Sequence, residues 1–115
     1  GDPERDAAVM AFTGDGGTTQ GDYNEAMVFA SVANAPVVFF VQNNQWAISE
    51  PNDKQFIIPP YQRARGFGFP GVLVDGNDVL ACFAVMAEAA ARARAPAMSE
   101  RWRCRAAPSA WQARH

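Results

Sequence analysis

The residues with chemistry in them are Asp15, set among Gly14, Gly16 and Gly17, and the pair Asn43-Asn44, with 28 residues between Asp15 and Asn44. The glycine-flanked turn follows an apolar run at residues 7–13 and stands at the entrance of a helix. Backbone amides there, added to the positive end of the helix, suit a diphosphate, and glycines let the backbone approach phosphate oxygens closely. There is no Gly-Lys-Ser/Thr, which excludes a nucleotide-triphosphate loop, and no Gly-x-Gly-x-x-Gly after the strand. The carboxylate is the informative residue. Bare, Asp15 would repel a diphosphate, so the two belong together only with a cation between them. Magnesium suits that place: it is octahedral, prefers oxygen, and is usually held by one or two protein groups plus phosphates. The side-chain oxygen of Asn44 supplies a neutral ligand, and the backbone carbonyl of Trp46, two residues on, could complete the set. Singly, Asp15-Gly16 is a common turn and Asn43-Asn44 a common strand ending. Their joint spacing is what points to a site.

Such a site needs elements to hold it. Residues 7–13 (AAVMAFT) have the pattern of a strand buried on both faces. Tyr23, Ala26, Met27, Ala30 and Ala33 recur at three- and four-residue spacing and predict a helix, with Asp22 and Glu25 as a capping pair and Asn34-Ala35-Pro36 as its stop. Residues 37–41 (VVFFV) are a second, β-branched and aromatic strand. Strand, glycine-rich turn, helix and strand make one parallel βαβ unit with a right-handed crossover expected. Both motifs then fall at the carboxyl ends of adjacent strands, the edge where open α/β sheets bind ligands. Residues 49–60 read as a loop with three prolines, 61–66 as a short helix, 66–71 as a turn and 71–74 as a third strand. Asn77 or Asp78 caps a long helix whose apolar face carries Val79, Phe83, Met86, Ala87 and Ala90. The fold class expected is α/β, a mostly parallel sheet with helices on both faces.

Composition excludes several classes. The chain of 115 residues is one domain at most. A net charge of −2 gives no global pull toward nucleic acid or anionic membrane. No apolar run approaches the roughly 18–20 residues of a membrane span. Cys82 and Cys104 stand far apart, with no zinc or disulfide pattern, and a reducing cytoplasm is the expected setting. Cys82 reads as core, and Asp22 and Glu25 as helix-capping groups without a catalytic role.

Gly14-Asp15-Gly16 followed by Asn43-Asn44 resembles the signature of thiamine-diphosphate enzymes. The whole stretch GDGGTTQGDYNEAMVFASVANAPVVFFVQNNQWAIS, with VDGNDVLA after the third strand, resembles the alpha subunit of the decarboxylating component of 2-oxo acid dehydrogenases, over roughly residues 9–95. That resemblance implies a thiamine-diphosphate-binding fold, here partial. It implies that Asp15, Asn44 and the Trp46 carbonyl hold Mg2+, and that Gly16, Gly17 and Asn44 contact the diphosphate, with Gln42 a weaker candidate. The family often has Tyr where this chain has Trp46, a change that keeps the backbone role. It also implies oxidative decarboxylation of a 2-oxo acid, with pyruvate preferred around QNNQWAISEP and a branched-chain 2-oxo acid second. The acyl group would pass to a lipoyl group on a transacylase partner, and two alpha and two beta subunits would form the enzyme.

The resemblance also leaves gaps. The carboxylate that activates the cofactor's pyrimidine ring is expected from the beta subunit, a Tyr-Arg pair of substrate and diphosphate contacts belongs upstream, and a His-containing loop belongs downstream. His115 sits in no matching context, so no catalytic residue is assigned. The chain is therefore expected to be a fragment, with a partial cofactor domain at 1–95 and an atypical tail at 96–115. That tail has Arg101, Arg103 and Arg105 around Trp102 and Cys104 where the family continues with a glycine-rich turn and an apolar strand. A solvated basic tail is one expectation; a reading-frame change or artificial end is the other, in keeping with nine Arg against one Lys. A non-catalytic remnant that only binds a partner is the rival from another class.

Overall fold

The computed structural model describes residues 7–94 and 109–114. Strand β1 (Val9–Gly14) leads through a 3-10 turn (Gly16–Thr19) into helix α1 (Gly21–Ala33) and strand β2 (Val37–Asn43). A small hairpin follows, β3 (Trp46–Ala47) with β4 (Glu50–Pro51), then the short helices α2 (Asn52–Gln55) and α3 (Pro60–Gly66). Strand β5 (Gly71–Asp75), helix α4 (Val79–Arg94) and strand β6 (Ser109–Arg114) complete the described chain. The main sheet has the order β1-β2-β6-β5 and is parallel throughout. The α/β class expected from the sequence is thus observed.

β2 organises the core because it is apolar on both faces. Val37 and Phe39 pack with Met27 and Ala30 of α1, Ala64 of α3 and Phe69. Val38 and Phe40 look the other way, onto Val74 and Ala89, with Val85 and Met86 of α4 beside them. Helices thus cover both faces, as a parallel sheet requires. Full burial of each such side chain is worth about 1.5–3 kcal/mol. Phe39 also meets the rings of Tyr23 and Phe69 edge-on, at 5.8 and 5.7 Å.

Several local expectations change. Gln20, not an Asp22–Glu25 pair, stands at the N-cap of α1; Asp22 lies in the first turn, where its charge favours the positive helix end. Asn34 ends α1 in the left-handed conformation, as its type allows. On α4 the buried side centres on Ala89, Val85 and Cys82, while Val79 and Phe83 are exposed. The expected loop at 49–60 contains the hairpin's second strand and α2. β6 stands between β2 and β5, in the stretch expected to be an atypical tail. The rest of the tail, including Arg101, Trp102, Arg103, Cys104, Arg105 and His115, lies outside the described residues, as do residues 1–6.

Candidate functional site

In the parallel pairing of β1 with β2, Gly14 is level with Gln42. Asp15 and Asn43 are therefore the next residues on adjacent strands, and the two motifs leave the sheet at one edge. From there each residue takes its own role.

Asp15 is buried, 3% exposed, at the entrance of the 3-10 turn, and makes no side-chain cap to it. Its backbone carbonyl accepts from the Thr18 N–H and from the buried Thr18 hydroxyl at 2.7 Å, which fixes the turn. Its carboxylate Oδ2 accepts from the side-chain amide of Gln55 at 2.9 Å. Gly16 and Gly17 have no room for a side chain. A Cβ on Gly16 would stand 2.7 Å from that of Ala47, and one on Gly17 would collide with Thr13 Oγ1. The turn is thus pressed between β1 and the β3–β4 hairpin. Bare backbone is what lets the pieces approach this closely.

Asn43 and Asn44 divide the labour. Asn43 is 1% exposed, and its Oδ1 accepts from the Gln45 N–H at 2.8 Å and the Asn52 side-chain amide at 2.9 Å. It shapes the turn. Asn44 is exposed, and its Oδ1 accepts from the Trp46 N–H at 3.0 Å, leaving the second lone pair of that oxygen. Trp46 pairs with Pro51, which has no N–H, so this pairing makes no demand on the Trp46 carbonyl. Gln42 is exposed at the same edge. The hairpin bends through positive φ at Gln45 (72°) and Ile48 (59°), the latter unusual for a β-branched residue.

Three groups near this edge escaped the sequence reading: Gln55, Asn52 and Arg63. Gln55 also donates to the Glu50 carbonyl at 2.9 Å, and an Arg63 N–H donates to the Thr18 carbonyl at 2.9 Å. None of the three has a sequence signal: Asn52 and Gln55 fall in the stretch read as a loop, and Arg63 falls in the expected short helix, where nothing in its spacing points to this edge. Tyr23, beside Arg63, has its phenol pushed above the ordinary value of 10.0 by burial, with Arg63 pulling it back in part. Among the described residues no three His, Cys, Asp or Glu side chains cluster as metal ligands. The edge offers instead one carboxylate with neutral amide and carbonyl oxygens.

The family profile described as "Dehydrogenase E1 component" matches residues 3–108. The chain belongs to that family. Over 93 residues it is 59% identical to the 3-methyl-2-oxobutanoate dehydrogenase subunit alpha of Mycobacterium tuberculosis, covering 80% of this chain and 25% of that protein. It is 44% identical over 90 residues to the pyruvate dehydrogenase E1 component subunit alpha of Staphylococcus epidermidis, covering 77% of this chain and 24% of that one. The protein of the same name from Staphylococcus aureus is 43% identical over the same length, covering 77% of this chain and 24% of that one. The chain thus spans about a quarter of the length of these relatives. The E1 relatives carry both a branched-chain and a pyruvate name, and the higher identity lies with the branched-chain one. These names support the branched-chain alternative read from the sequence as well as the pyruvate preference.

Proposed function

We propose that this chain is the diphosphate- and magnesium-holding part of a thiamine-diphosphate-dependent E1 alpha subunit. The whole enzyme would oxidatively decarboxylate a 2-oxo acid and pass the acyl group to a lipoyl domain. The observation that carries this is the register of Gly14 with Gln42, which brings a buried carboxylate and a side-chain-free turn beside the Asn43-Asn44 turn. The donor set fits a hard cation: the Asp15 carboxylate, the remaining lone pair of Asn44 Oδ1 and the Trp46 carbonyl are all oxygens. Gly16 and Gly17 would offer backbone to a diphosphate, and Asn44 and Gln42 border the same edge.

The chain's own contribution is binding and charge placement. Asp15 would anchor the cation, which offsets the diphosphate's repulsion from the carboxylate. Asn43 and Thr18 hold the two turns rigid, so little reorganisation is left for the moment of binding. When bound, the cofactor supplies the carbanion chemistry of decarboxylation. A beta subunit would complete the site, and a lipoyl transacylase would take the product, in a cytoplasmic setting. Among the described residues no helix is long and apolar enough to cross a membrane.

For the substrate, a branched-chain 2-oxo acid and pyruvate stand level: the higher identity favours the first, the QNNQWAISEP context the second. The test is reductive acylation of a lipoyl domain by the assembled alpha and beta subunits, with 3-methyl-2-oxobutanoate and pyruvate compared at equal concentration. Turnover of either, dependent on thiamine diphosphate, supports the proposal. Turnover of neither refutes it.

A further inference from the structure

One side chain outside the expected ligand set touches the proposed cation ligand directly. Gln55 lies at the end of the four-residue helix α2, and its amide nitrogen reaches Asp15 Oδ2 and the Glu50 carbonyl, both at 2.9 Å, and Asn52 Oδ1 at 3.4 Å. A carboxylate and a backbone carbonyl can only accept, so the group between them must be the NH2 end of the amide. Its other end, Oε1, is then buried with no hydrogen-bond partner, close to Gly16. An unpaired buried acceptor is unfavourable and rare, and asks for a reason. The reason is at Nε2. The same stretch also ties down the second motif, since Asn52 donates to Asn43 Oδ1 at 2.9 Å.

Resting on the magnesium reading of Asp15, we propose that Gln55 is a positioning residue that sets which cation the site takes. By donating to Oδ2 it takes one lone pair of that oxygen and fixes the orientation of the carboxylate, which favours metal binding through Oδ1 alone over binding through both oxygens. One-oxygen binding suits magnesium, which demands a compact octahedron. Calcium is larger and readily takes both oxygens of a carboxylate at once. Removing the amide frees Oδ2, loosens the carboxylate and opens the two-oxygen mode.

The experiment is calorimetric binding of thiamine diphosphate to the intact alpha–beta protein, titrated in Mg2+ and separately in Ca2+, for the native protein and for Gln55→Ala and Gln55→Met. Partners that orient a metal ligand are commonly worth on the order of 10- to 100-fold in affinity. Gln55→Ala should weaken Mg2+-supported binding by that order and weaken Ca2+-supported binding less, so the Mg2+ to Ca2+ ratio falls. Gln55→Met keeps the length and bulk of the side chain but has no N–H to give Asp15, so the same fall in the ratio is expected. A merely structural glutamine would weaken both cations equally, and an unchanged ratio in either variant overturns the proposal. If Gln55→Ala does not fold, the ratio in Gln55→Met decides alone. Failure of the native protein to bind the cofactor in Mg2+ would instead overturn the reading of Asp15 itself.

Discussion

Replacing Gly16 by alanine would add one carbon where there is no space for it. An ideal Cβ there lies 2.7 Å from Ala47 Cβ and 3.8 Å from both Ala47 Cα and Gln55 Oε1. Carbons attract best at about 3.5–4.0 Å, so the turn and the β3–β4 hairpin would have to part by roughly 1 Å. Gly68 is the only glycine among the described residues with positive φ, so the backbone at Gly16 accepts alanine and the cost is steric. Overpacking of this kind costs about 1–3 kcal/mol. Ala47→Gly removes the opposing methyl, and alone it should cost about 0.5–1 kcal/mol through chain flexibility. The double variant should then be more stable than the two single costs imply, with a coupling of about 0.5–3 kcal/mol. Urea unfolding followed by circular dichroism, on native, both singles and the double, measures it. Strict additivity, within about 0.3–0.5 kcal/mol, would show that the hairpin does not rest on the turn and refute the packing that brings Gln55 to Asp15.

Four further outcomes follow from particular contacts. Asp78 Oδ1 accepts from the Leu80 and Ala81 N–H groups at 3.0 Å, so Asp78→Ala should cost about 1 kcal/mol in a urea melt. Ile48 is fully exposed at φ 59°, and Ile48→Asn should be neutral or stabilising by up to about 1 kcal/mol. Burial raises the Tyr23 pKa in the folded state, so its contribution is whole below about pH 10 and lost as pH rises through the folded value; thermal melts of the native protein should fall more steeply above about pH 10 than those of Tyr23→Phe. Phe12 on edge strand β1, with Val28, Phe29 and Val32 on α1, leaves apolar surface exposed, and the chain expressed alone should associate on size-exclusion chromatography; a compact monomer with a sharp melt would contradict this.

The sequence revealed most where one residue type serves one physical demand. The run VVFFV reads as a strand, and β2 is that strand, buried on both faces; the run at 7–13 was expected to be buried on both faces, but β1 is an edge strand with Val9 and Phe12 exposed. The Gly14-Asp15-Gly16-Gly17 turn and the Asn43-Asn44 turn were legible because glycine and asparagine are chosen there for backbone reasons. The buried face of α4 was legible only in part: Met86 was expected there and packs on the core, but Val79 and Phe83 are exposed and Ala89, with Val85 and Cys82, meets the sheet instead. The face of α1 was legible from spacing: Tyr23, Met27 and Ala30 meet the core and Phe29 and Val32 do not, while Ala26 and Ala33, expected on the same face, are exposed. Gln55 reaches Asp15 across 40 residues of sequence through a loop with no period, a contact that only the tertiary fold creates. The strand β6 between β2 and β5 was likewise not legible, since Ser109–Arg114 falls in a stretch where the sequence shows no strand or helix period.

The central claim is that the Asp15 edge holds a diphosphate through magnesium. The most direct measurement is isothermal titration of thiamine diphosphate into the alpha–beta protein, in Mg2+ and in chelator, for native and Asp15→Ala. Binding should require the cation, and Asp15→Ala should lose it by at least on the order of 10- to 100-fold, since a direct ligand is removed and not merely a group that orients one. Equal binding in chelator, or by Asp15→Ala in Mg2+, would contradict the account.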